Sequence, residues 1–93
     1  MASIRAFKKD INYVTSELVI ECFTLNYLFP EKNQDELASI ISDSVNMKLN
    51  LLNKINQSRS ENKANKTAMK KLRLEFKNDV ESLVGRLSKI PVQ

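Results

Sequence analysis

The sequence predicts an all-α protein, an antiparallel up-down-up three-helix bundle that pairs into a dimer. Three observations carry this. Apolar residues recur every three or four positions in three long stripes, as on one face of a helix. One glycine and two prolines in 93 residues leave almost no turn chemistry for hairpins. The polar breaks between the stripes are short, so consecutive helices must fold back on each other.

The first stripe is Ile4, Phe7, Ile11, Val14, Leu18, Cys22, Leu25 and Leu28. It predicts a helix over about 3–29, ended by Pro30, because a proline disfavours helical geometry in the residue before it. Asn33 then caps the second helix, and Glu36 three residues on matches a capping box. Asp35 and Glu36 also place negative charge in the first turn, where the helix dipole favours it. The stripe Leu37, Ile41, Val45, Leu52, Ile55 carries this helix over about 34–57. Residues 58–64 are polar and without period, which marks the second connection. Met69, Leu72, Phe76, Val80, Leu83, Leu87 and Ile90 predict a third helix over about 65–89, stopping before Pro91. At a rise of about 1.5 Å per residue, each helix spans about 35–40 Å.

Residues 1–93 form a single domain. A chain this short buries only about 60–65% of the surface its unfolded form exposes, so it gains from associating. Cys22 is the one cysteine, so no internal disulfide or cysteine metal framework exists. On the core stripe it reads as a small buried hydrophobe. The first helix is interrupted by Asn12, Thr15, Ser16, Glu17 and Glu21, which excludes a signal-peptide core and a membrane span and points to the cytoplasm.

The run Lys8-Lys9-Asp10-Ile11-Asn12-Tyr13, followed by a helix ending in Phe29-Pro30-Glu31-Lys32, resembles a family of short bacterial all-helical proteins of unknown function. The resemblance implies a cytoplasmic helical fold and no assigned binding or catalytic residues.

The helices present different faces. The third has a narrow apolar arc, as suits the outside of a bundle, and the second a broader one including Ile40, Met47 and Leu51. The first carries a second stripe opposite its core: Ile20, Phe23 and Tyr27, extended by Tyr13 and Ser16. These residues either sit at a shoulder between splayed helices or meet another chain. Spacing of i, i+3, i+7 with two aromatics favours a protein interface, in a homodimer or with another protein partner.

Net charge is +4, but it is segregated. Residues 1–9 carry +3, residues 10–45 carry seven acids against Lys32, residues 46–77 carry nine bases against Glu61 and Glu75, and the rest balances. In the predicted bundle the two basic segments share one end. That tip supplies the alternative function, a nucleic-acid-binding accessory protein holding phosphates with Lys63, Lys66, Lys70, Lys71 and Arg73. A lysine-rich composition without interleaved aromatics also fits a tip that is simply solvated.

The chain contains no histidine and no glycine-rich phosphate loop, and Gly85 lies within the third helix. Glu17 and Glu21, paired at i, i+4, are the nearest approach to a catalytic or cation-binding pair, and they also read as a solvated strip. The expectation is a non-enzymatic interaction module without metal or cofactor, and without membrane insertion.

Overall fold

The structure is a computed structural model and describes residues 4–60 and 66–90. Three helices account for nearly all of it: α1 (Ile4–Leu28), α2 (Gln34–Ser60) and α3 (Lys66–Ser88). No strand occurs among the described residues. The expected first break holds, and α1 stops two residues short of Pro30 after a last turn closed by Phe29 N–H donating to the Leu25 carbonyl at 2.9 Å. The chain then reverses through left-handed backbone at Glu31 (φ 73°) and Asn33 (φ 55°). Asparagine tolerates that region better than most residues, and its carbonyl accepts the first bond of α2 from Leu37 N–H at 2.9 Å. Glu36 does not turn back to this cap. Its Oε1 accepts instead from Arg86 Nε at 3.0 Å. The second helix also runs three residues beyond the expected Gln57. Most of the expected second connection, residues 61–64, lies outside the described residues.

Side-chain pairs show how the helices lie along each other. Lys8 in the second turn of α1 donates to Asn56 Oδ1 near the end of α2 at 2.8 Å. Lys54 of α2 pairs with Glu75 Oε1 of α3 at 2.7 Å. Arg86, near the end of α3, reaches three groups near the start of α2: Glu36, Asp43 Oδ2 at 2.6 Å, and Ser39 Oγ at 2.9 Å. The start of α1 therefore lies beside the end of α2, and the start of α2 beside the end of α3. The result is a rod of 49 × 18 × 17 Å.

The core is mostly the seam between α1 and α2. Phe7, Ile11, Leu18 and Cys22 are buried from α1, and Leu37, Ile40, Met47, Leu51 and Ile55 from α2. Among the described side chains of α3 Leu83 alone is buried, and Met69, Leu72, Phe76, Val80 and Leu87 are half-buried. The third helix thus covers the α1–α2 pair with one narrow stripe, as its sequence predicts. At the basic end, the Phe76 ring meets Phe7 edge-on, with centroids 5.9 Å apart.

The stripe expected on α2 needs one correction. Val45 is 40% exposed, and the buried line runs instead through Ile40, Ser44 and Met47. Two neighbours pull on α2, and α3 docks on its Glu36, Asp43 and Lys54 side, so the buried arc turns that way. Val45 is left on the opposite edge. Ser44 enters the core by donating its hydroxyl to the Ile40 carbonyl at 2.7 Å, which removes most of the desolvation penalty. No helix among the described residues is long and apolar enough to cross a membrane.

Candidate protein-interaction surface

Among the described residues a groove lies between each pair of helices, and the one between α1 and α2 gathers the residues that the sequence singles out. On the front of the rod, Thr15, Ser16, Val19, Ile20 and Phe23 of α1 face Val45, Lys48 and Leu49 of α2 across a shallow furrow. Most of its apolar walls stand in water. Phe23 is 60% exposed, Ile20 56% and Leu49 53%. Tyr27, one turn beyond Phe23, is 84% exposed and extends the stripe toward the turn.

The stripe is a helical ridge, and the structure gives it a parallel neighbour. On α1 it reads Lys9, Tyr13, Ser16, Ile20, Phe23, Tyr27, with alternating steps of four and three. On α2, Asp35, Ala38, Ser42, Val45 and Leu49 follow the same alternation. All of these are exposed. Steps averaging 3.5 residues are the period of helices that pack against further helices. Sequence periodicity marks the α1 ridge but not its α2 companion, because Val45 falls on the expected α2 core stripe and Leu49 lies between stripe positions. Their signal was present: Val45 and Leu49 are spaced i, i+4 at the rim of a broad apolar arc.

A second groove lies between α1 and α3, where Val14, Leu18, Leu25, Val84 and Leu87 form the walls and Glu17 and Glu21 the rim. Both glutamates are exposed, at the edge of the core rather than inside it. The third groove, between α2 and α3, has Asp43, Asn46, Asn50, Asp79, Ser82 and Arg86 around an apolar floor of Met47 and Leu83. Arg86 is already held by Glu36 and Asp43. These two carboxylates hold its guanidinium even more firmly protonated than usual. Burial, with Glu75 nearby, raises the Asp79 carboxyl above its ordinary value. Among the described residues no three acidic, histidine or cysteine side chains gather as a metal site would require.

The residues proposed for phosphate binding are dispersed in their roles. Lys70 and Lys71 are exposed on the first half of α3. Arg73 is half-buried, with its guanidinium carbon 4.8 Å from the centroid of the Phe7 ring, a cation–π contact that ties α3 to α1. Lys66 opens α3, and its side chain, like the whole of Lys63, lies outside the described residues. Cys22 is buried where its stripe places it, and burial pushes its thiol pKa up, as does nearby Glu21.

No protein-family model matches this sequence, and neither a curated protein nor a solved structure matches it.

Proposed function

We propose that this chain is a small, non-enzymatic interaction module whose front, formed by α1 and α2, is covered by another polypeptide. One observation carries the reading: Ile20, Phe23 and Tyr27 are joined by Val45 and Leu49 in a two-helix apolar surface that the chain's own core leaves in water. A lone surface leucine is ordinary, but a continuous apolar face is what soluble chains keep for partners. Aromatic residues at its centre suit an interface core, since they bring large contact area at little entropic cost. The lack of histidine and the already paired Arg86 weigh against catalysis at the polar cleft. A lone buried thiol suits the reducing cytoplasm, where we place the protein.

The test is co-purification from the native cell with wild type, Phe23→Glu and Leu49→Glu. Wild type should come with a stoichiometric companion, itself or another protein, and both variants should lose it with helicity unchanged. Retention of the same companion by both variants would remove this face from the function.

A further inference from the structure

Resting on that reading of the front face, we propose that its occupant is a second copy of this chain, lying antiparallel across a two-fold axis between the levels of Ile20 and Phe23. The two ridges begin in opposite charge. The α1 ridge starts at Lys9, with Arg5 one turn earlier, and the α2 ridge starts at Asp35, beside Glu31 in the turn. All four side chains are exposed. The face therefore reads as a basic end, a mostly apolar middle with Lys48 in its furrow, and an end where Glu31 and Asp35 outnumber Lys32.

A face-to-face pair has two simple symmetric arrangements. An axis along the rod stacks basic end on basic end. An axis across the rod sets Lys9 and Arg5 of each copy against the Glu31–Asp35 turn of the other, twice over. Charge complementarity selects the second, and like-charge contact disfavours the first.

Side-chain size agrees. With the axis between Ile20 and Phe23, Ile20 of one copy meets Phe23 of the other, and Ser16 meets Tyr27. Small thus faces large at the outer layers, as interdigitating ridges require. The area also demands such an extended contact. A standard interface takes about 800 Å² from each partner. Between its extreme Cα positions one side of the rod spans 49 × 18 Å, so a contact of standard size takes in most of its length. The contact must reach the charged ends, which places Lys9 and Asp35 inside it.

The experiment uses the full chain with Cys22→Ala, so that introduced thiols are the only ones. Ser16→Cys and Tyr27→Cys are prepared separately, mixed, and treated with a short bismaleimide, alongside sedimentation of wild type, Phe23→Glu, Lys9→Glu, and Lys9→Glu with Asp35→Lys. The expected result is a wild-type dimer, cross-linked only in the mixture, between position 16 of one copy and 27 of the other. Lys9→Glu should weaken association about tenfold, since two symmetric contacts turn repulsive, and adding Asp35→Lys should restore it. Cross-links within each single variant, 16 to 16 or 27 to 27, would overturn the antiparallel pairing yet leave the front face as the interface. So would a dimer that Phe23→Glu splits but Lys9→Glu does not weaken. A wild-type monomer at every concentration would overturn the second copy as occupant, and the co-purification result would then decide the face by itself. A dimer that survives Phe23→Glu would overturn both readings.

Discussion

Truncating Phe7 and truncating Phe23 should have opposite consequences, although the two rings sit on one helix sixteen residues apart. Phe7 is 1% exposed, meets Phe76 edge-on and carries the Arg73 guanidinium over its face. Removing a fully buried phenylalanine costs about 3–5 kcal/mol, the ring contacts included. At about 0.05–0.15 kcal/mol per residue, a chain of this length holds only about 5–14 kcal/mol in total. Phe7→Ala therefore removes about a fifth of the stability or more. At about 4–8 °C per kcal/mol, the melting temperature should fall by about 12–40 °C. Phe23 keeps most of its ring in water, so Phe23→Ala should change the isolated chain by no more than about 0.5 kcal/mol. Its cost should appear only as protein concentration rises and association contributes. Urea unfolding followed by far-ultraviolet circular dichroism, at low and high protein concentration, separates the two. Equal losses at low concentration, or a Phe7→Ala loss under about 1 kcal/mol, would mean that α1 is rotated and that the front face is not the face described.

Arg86→Ala should lower the melting temperature and speed amide exchange at the end of α3 more than in α1, because it releases Glu36, Asp43 and Ser39 together. Arg86→Lys should recover only part, lacking the planar fork; an unchanged melt would refute this tie. Asp79 has a raised carboxyl pKa, so the folded chain holds that proton more tightly than the unfolded chain does. Its contribution is present below the ordinary carboxyl range and is lost as pH rises through the folded value. Asp79→Asn should therefore raise the melting temperature at pH 7, with a gain that shrinks toward pH 3; a gain that grows on acidification would show the sign to be wrong. Thr15 Oγ1 is buried without a hydrogen-bond partner among the described residues, so Thr15→Val should stabilise by about 1 kcal/mol in chemical denaturation. Buried Cys22 should react with a thiol reagent slowly in the native protein and rapidly in urea, and equal rates would place it on the surface.

Much of this architecture is local, and so it is legible in the sequence. The α1 core stripe from Ile4 to Leu25, the stop before Pro30, the start after Asn33 and the narrow α3 face all follow from helical periodicity and the backbone limits of single residues, whereas Leu28, expected on the same stripe, is 58% exposed at the last turn of α1. The opposed stripe of Ile20, Phe23 and Tyr27 was legible too, because one helix cannot turn two opposite faces to the same core. Which arc of α2 would be buried was not. Its apolar positions cover nearly half the circle, and a rotation that exchanges Val45 for Ser44 costs little in periodicity. The position of α3 chooses between them, through contacts such as Arg86 with Asp43, 43 residues apart in the chain. A still longer separation in the chain hides the contact of Arg73 with Phe7, which draws one cation of the basic end into the bundle. Local periodicity told which residues seek a partner, but only the packing of three helices could decide which find one inside the chain, because a helix's rotation is set by its neighbours and not by its own sequence.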